Sequence, residues 1–183
     1  MSENFGSIPQ TPIPVVETER LVLRGFVGED LDAFAAISAD PQTMQYVGGV
    51  RSREDVWNAI AVISGHWALR GFGMWAVDEK ETGRLVGRIG LYHPEGWPGI
   101  EVGWVLARDV WGRGYATEGA KASVRYAYDA VRVDRLITII DPRNERSIRV
   151  AERLGASFSE QITLRGTVVN VYDVPPLPGP TTS

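Results

Sequence analysis

Residues 99–119 read Gly-Ile-Glu-Val-Gly-Trp-Val-Leu-Ala-Arg-Asp-Val-Trp-Gly-Arg-Gly-Tyr-Ala-Thr-Glu-Gly. An apolar strand signal, Ile100 to Leu106, runs through a short connection into Gly112-Arg113-Gly114, and a helical pattern starts at once. Strand, glycine turn and helix together bend a backbone so that bare N–H groups face an anion. Gly112 and Gly114 remove side chains where a ligand must approach the main chain, and the helix aims its positive end at the same place. The expected guest is a phosphate or pyrophosphate. A plain glycine turn between packed elements explains the same residues. A dinucleotide fingerprint needs glycine where Thr117 stands, and no Lys-Ser/Thr pair follows the glycines to make a Walker A loop.

The helix after the turn carries Ala116, Ala120, Val124, Ala127 and Val131 at helical spacing, a mostly small stripe that lets it sit close to a sheet. Glu118, Lys121, Arg125, Asp129 and Arg132 lie opposite and read as a solvated face. The 183 residues suit one domain with a real core, and 44% apolar with 23% charged residues is ordinary for a globular protein. A net charge of −4 argues against a general nucleic-acid binder and mildly favours a cationic partner. Cysteine is absent, which excludes disulfides, thiolate zinc sites and a covalent cysteine intermediate. With only His66 and His93, a histidine metal centre is not expected, and neither is any bound metal. No apolar run approaches the ~20 residues of a membrane span and no signal peptide opens the chain, so a cytoplasmic protein is the expectation.

Working outward, residues 1–17 read as a flexible, proline-containing leader, 18–175 as the single domain and 176–183 as a proline-rich tail. Residues 20–26 alternate as a strand. A helix follows to Ser38, with Pro41 ending it and 42–51 as a loop. Ser52 and Asp55 make a capping box for a helix to about Leu69, whose core stripe is Val56, Ile60, Ile63 and Trp67. His66, near its end, reads as a partly exposed structural residue. Residues 74–78 and 85–92 form two strands across a hairpin turn, and with 100–106 they imply an antiparallel meander. Strand 135–140 after the central helix favours a parallel pair with a right-handed crossover. A helix from about Glu145 to Leu154 and a closing pair, 157–165 and 168–174, complete the chain.

Three polar residues could carry chemistry. Ser147 shares a helix face with Val150, Ala151 and Leu154, so its hydroxyl points inward and needs a partner, either in its own first turn or in a ligand. Asn144 suits the N-cap, yet it also stands at the strand end where ligands collect in α/β sheets. Glu101 is a carboxylate inside an apolar strand. It either meets water or sits in a cleft with a raised pKa, where it becomes a usable base near neutrality.

Together these residues resemble the GNAT superfamily of acetyl-CoA-dependent N-acetyltransferases, in particular its RimJ/RimL-like members. The segments that carry the resemblance are 100–106, Trp111 to Glu118, Asn144 to Ser147 and Ala151 to Gly155, with weaker matches at 18–21 and 83–87. The resemblance implies a mixed α/β fold: a mostly antiparallel, six- to seven-stranded, V-shaped sheet, flanked by helices and splayed between its parallel fourth and fifth strands. It places acetyl-CoA in that gap, as co-substrate and without a metal. The amides of Trp111, Gly112, Arg113, Gly114, Tyr115, Ala116 and Thr117 would hold the pyrophosphate, with Arg113 adding charge. The Val105 and Leu106 backbone would receive the pantetheine and acetyl carbonyl, and Asn144 and Ser147 would sit beside the thioester.

By the same similarity Glu101 is the general base that takes the proton of a primary amine, either a protein N-terminus or a small molecule, and transfer is direct in a ternary complex. The family's last-helix tyrosine is missing, which makes Ser147 the stand-in acid for the leaving thiolate. Asp109 stands where relatives often carry Gln or Arg, and is expected to point away from the diphosphate. The acceptor groove would be lined by the 42–51 loop, the 93–99 loop and the last hairpin, with Tyr46, Trp97 and Tyr172 as contacts. The resemblance also implies homodimerisation. Neither a nucleic acid nor a membrane is expected as partner. The competing functional reading is a non-catalytic acyl-CoA sensor on the same scaffold.

Overall fold

Leu21 and Leu23 alternate with Val22 and Arg24 and lie fully buried, and the strand they form anchors one side of the sheet. The computed structural model describes residues 12–178. Its elements are β1 (Val16–Glu17), β2 (Leu21–Arg24), α1 (Asp30–Ser38), α2 (Pro41–Met44), α3 (Arg53–Arg70), β3 (Met74–Glu79), β4 (Leu85–Tyr92), β5 (Glu101–Leu106), α4 (Tyr115–Tyr126), β6 (Ile137–Ile140), α5 (Glu145–Arg153), β7 (Ser157–Leu164) and β8 (Thr167–Asp173). A 3-10 turn, Arg108–Val110, precedes α4, and a π-helical turn, Ala127–Val131, extends it. All eight strands form one sheet in the order β1-β2-β3-β4-β5-β6-β8-β7, and only β5 and β6 run parallel.

The mixed, mostly antiparallel sheet is the one the sequence implies, but it has eight strands rather than six or seven. The extra strand is Val16–Glu17, which pairs with β2 from within the stretch read as a leader. Trp75 Nε1 donates to the Pro14 carbonyl at 2.8 Å, so this segment is packed from Pro14 onward. Residues 1–11 of the expected leader and 179–183 of the expected tail lie outside the described residues. Pro41 does more than end α1. It opens the short helix α2, where proline fits the first position and Asp40 Oδ1 accepts the Thr43 N–H at 2.7 Å. Residues 42–51 are therefore part helix, not wholly loop. The Ser52/Asp55 capping box starts α3 as its spacing predicts.

One face of the sheet carries Leu21, Leu23, Trp75, Val77, Ile89, Leu91, Val102 and Leu106, all buried against α4. The buried positions of α4 are Tyr115, Gly119, Ala120, Ser123 and Val124. A Cβ on Gly119 would stand 2.5 Å from Ile89 Cδ1, so the helix rides as close to the sheet as a bare glycine permits. The charged face of α4 is not wholly solvated. Glu118 is clamped by the Thr18 hydroxyl at 2.6 Å, the Arg20 amide at 2.8 Å and the Arg20 guanidinium at 2.6 Å.

The sheet opens at its parallel pair. β4 and β5 are in register from Gly87 opposite Leu106 to Tyr92 opposite Glu101, whereas β5 and β6 meet only at Glu101 opposite Ile137. That join carries the Ile137 N–H to the Ile100 carbonyl at 2.9 Å. Main-chain groups alternate sides along a strand, so those of Val102, Trp104 and Leu106 also point toward β6. Beyond the join they face the opening.

Candidate active site

The glycine turn sits at the mouth of this opening. Gly112 and Gly114 have φ of +79° and +83°, the left-handed region where a Cβ is disfavoured. Gly114 is the N-cap of α4 and offers no side-chain cap. Glu118 N–H reaches the Gly114 carbonyl, but among the described residues the amides of Gly112 through Thr117 have no acceptor. A helix start leaves such donors orphaned unless something outside the helix satisfies them. This cradle therefore fits a diphosphate. Its shape is held from the chain's front, because Arg20 donates to the Arg113 carbonyl at 2.9 Å and lies over the Tyr115 ring.

Two charges near the turn are already engaged. Arg113 pairs with the buried Glu79 at 3.1 Å, and Tyr115 donates its hydroxyl to the same carboxylate at 2.8 Å. Hydrogen bonds from Thr82 and Tyr115, helped by the Arg113 and Arg84 charges, hold the Glu79 carboxyl below its usual range. Arg113 therefore braces the turn against Glu79 through Nη1, while the rest of its half-exposed guanidinium faces outward. Asp109 pairs with Arg84 at 2.6 Å, which accounts for an acid beside an anion site. Trp111 Nε1 donates to the Leu106 carbonyl at 2.9 Å and stitches the turn to the end of β5.

Inside the opening, the β5 groups that face β6 belong to Trp104 and Leu106. Val105 is instead in register with Arg88 of β4, so its peptide groups serve that ladder. Sequence reasoning named Val105 and missed Trp104. The parity follows only from the β5–β6 register, which no local pattern encodes.

Glu101 stands where the two strands part. Trp97 Nε1 donates to its Oε2 at 2.8 Å. Burial pushes its carboxyl up to about 7. The Trp97 hydrogen bond, the Arg88 charge and the Ile139 amide of β6 act in the opposite direction. Trp97 was expected to line the acceptor groove; here it also holds the carboxylate, with the Arg165 guanidinium 5.1 Å from its ring centre.

The start of α5 closes the other side. Asn144 Oδ1 accepts the Ser147 N–H at 3.2 Å, so the cap is made. The Ser147 hydroxyl has no hydrogen-bond partner among the described residues and is half-buried. Tyr46 reaches the same strand end, with Arg143 at 5.7 Å over its ring. Arg146, a residue sequence reasoning passed over, lies 4.4 Å from the Trp111 ring centre and joins α5 to the glycine turn. Tyr172 is not brought to Glu101. It pairs in register with Thr138, on the other side of the strand from Ile137, and packs on Phe158.

His66 is buried rather than partly exposed. Its Nδ1 meets the Phe72 carbonyl at 2.7 Å and its Nε2 accepts the His93 N–H at 2.9 Å. Both nitrogens are thus used by the main chain in a neutral ring, and burial lowers its pKa. It ties α3 to the 93–99 loop and has no proton to trade. No group of three or more His, Cys, Asp or Glu among the described residues could hold a metal ion.

A splayed mixed sheet, an uncapped glycine turn at its opening and a partly buried carboxylate at the fork make up a GNAT-type domain. The chain belongs to that family: residues 20–157 match the acetyltransferase (GNAT) domain. It is 30% identical over 164 residues to the Bacillus subtilis protein YkkB, covering 85% of this chain and 92% of that one. It is likewise 30% identical to the uncharacterized N-acetyltransferase YoaA of the same organism, covering 83% of this chain and 86% of that one. Among solved structures, an acetyltransferase from Agrobacterium tumefaciens superposes with a TM-score of 0.82 at 31% identity, over 94% of this chain and 98% of that one.

Proposed function

We propose that this protein is an N-acetyltransferase that moves the acetyl group of acetyl-CoA directly to a primary amine, with both substrates bound together. Acetyl-CoA supplies the activated acyl group. The amides of Gly112 through Thr117 hold its diphosphate, and the Trp104 and Leu106 main chain receives the arm that follows. Glu101 takes the proton of the acceptor amine, and a carboxylate of pKa about 7 is matched to that task at neutral pH. Main-chain N–H groups of β5 stabilise negative charge on the acyl oxygen. The Ser147 hydroxyl, with no partner of its own, donates to the departing sulfur. The RimJ/RimL-like resemblance makes a protein N-terminus one candidate acceptor and a small-molecule amine the other.

The observation that carries this reading is Glu101, a desolvated carboxylate at the one point where β5 and β6 part, on the far side of the opening from the uncapped amides. The test mixes pure protein with acetyl-CoA and a panel of N-terminal peptides, amino acids, polyamines and aminoglycosides, and follows thiol release. Turnover with at least one amine, abolished in Glu101→Gln, is the expected result. Binding of CoA without turnover on any amine would instead identify a sensor, and no CoA binding at all would end the reading.

A further inference from the structure

The face of the sheet that carries Glu101 holds two arginines treated very differently. Arg24 on β2 is answered twice, by Asp30 at 2.8 Å and Asp78 at 2.6 Å. Arg88 on β4 is answered by nothing. Among the described residues it makes no ion pair and no hydrogen bond, although its surroundings desolvate it enough to lower its pKa. The charges near it are Arg51, of like sign, and Glu101, which is already bonded to Trp97 and lies beyond ion-pair contact. A half-buried guanidinium with five donors and no protein acceptor is open to a bidentate anion.

The register shows where that anion would lie. On this face the successive cross-strand pairs of β4 and β5 are Arg88 with Val105, Gly90 with Gly103, and Tyr92 with Glu101. The middle pair has no side chains of its own, and Met74 Cε and Glu101 Oε1 lie over Gly103, 3.1 and 3.5 Å from where a Cβ would stand. A molecule lying along this face, past Met74, meets a base at one end and an unanswered cation at the other.

Resting on the acetyltransferase reading above, we infer that the acceptor is an amine that also carries a carboxylate, bound by Arg88 while its amino group faces Glu101. This reverses the cationic partner that net charge alone favours. The whole-chain charge of −4 says little about a site whose nearest free charge is positive. The carboxylate could be the α-carboxylate of a free amino acid or an acidic side chain at the start of a peptide. The same chemistry serves both.

The experiment measures acetyl transfer to matched pairs: the standard L-amino acids against their carboxamides, and short peptides with Asp or Glu in the first two positions against the Asn or Gln counterparts. The acid member of at least one pair is expected to have a KM lower by about 10- to 100-fold, the range of a charge-assisted bidentate contact. Which set shows the preference identifies the source of the carboxylate. Arg88→Met should raise KM for the acid member by that factor while leaving its neutral partner within about twofold. Arg88→Lys, which keeps the charge but not the fork, should restore part of the preference and controls for misfolding. Equal KM for acid and neutral members in the unaltered protein, or an equal penalty on both in Arg88→Met, overturns the inference while leaving amine acetylation intact. If no amine is acetylated, the acetyltransferase reading falls. The same pairs are then weighed by calorimetry on the acetyl-CoA-loaded protein, where acid members binding more tightly would still establish the anion site and equal affinities would remove it.

Discussion

Replacing Trp97 with Phe should move the ionisation of Glu101 without touching the carboxylate itself. The indole N–H donates to Glu101 Oε2 at 2.8 Å and is the largest influence opposing the rise caused by burial. A hydrogen bond to a charged group contributes about 1.5–3 kcal/mol, and one pKa unit corresponds to about 1.4 kcal/mol. Phenylalanine keeps the ring against Tyr92 but donates nothing. The carboxyl should therefore move from about 7 in the unaltered protein upward by about one to two units. The assay is a pH titration of the glutamate side-chain carbonyl by carbon NMR, with Glu101→Gln identifying the resonance, so no acceptor need be known. Once an acceptor is in hand, the rising limb of kcat/KM should shift by the same amount. Activity lost at pH 7 should return near pH 9.5, which separates a shifted base from a damaged fold. A Glu101 titration that stays put in Trp97→Phe, or that centres below 5 in the unaltered protein, would refute the reasoning.

The remaining predictions concern the cradle, the acid, the packing and the acid limb of stability. Substituting Val at both Gly112 and Gly114 forces two β-branched residues to φ near +80°, at a cost of about 1–2 kcal/mol each, and should weaken CoA binding by calorimetry about 10- to 1,000-fold. Ser147→Ala should lower kcat by about 10²-fold or more with CoA affinity within a factor of about three, measured by steady-state kinetics and calorimetry. Gly119→Val should destabilise the fold by about 1–3 kcal/mol in urea titrations, because its Cβ would meet Ile89 Cδ1 at 2.5 Å. His66 has a lowered pKa, so its contribution to stability is complete above the unfolded value of about 6.5 and is lost as pH falls through the folded one. Urea midpoints at pH 8, 6.5 and 5 should fall more steeply for the unaltered protein than for His66→Gln.

What could be read without coordinates was whatever a few neighbouring residues decide among themselves. The Ser52/Asp55 capping box, the Asn144 cap and the glycine turn each rest on contacts three residues apart or on backbone freedom. The small stripe on α4 and the parallel β5/β6 pair follow from period and element order. What escaped depends on which strand lies beside which. The main-chain parity that exposes Trp104 and occupies Val105 comes from a single inter-strand bond. Glu118 reads as a surface charge until Thr18 and Arg20 arrive from 100 and 98 residues away. That Arg113 also braces Glu79 appears only once β3 lies beneath the turn, and Arg88 reads as one more strand arginine until its neighbours fail to answer it. Tyr172 was placed by assuming the last hairpin folds over the groove, whereas β8 slots between β6 and β7 and turns that ring the other way.

The knot around Glu118 bears on how this domain can be excised. The homologous block begins at residue 20, and a boundary drawn there looks natural. It would discard the Thr18 hydroxyl that grips Glu118, the β1 ribbon beside β2 and the Pro14 carbonyl that receives the Trp75 indole. A fragment started at residue 20 would keep every residue proposed to touch substrate and lose part of the brace beneath the diphosphate cradle. Expression trials and fusion junctions should therefore leave the preceding stretch in place.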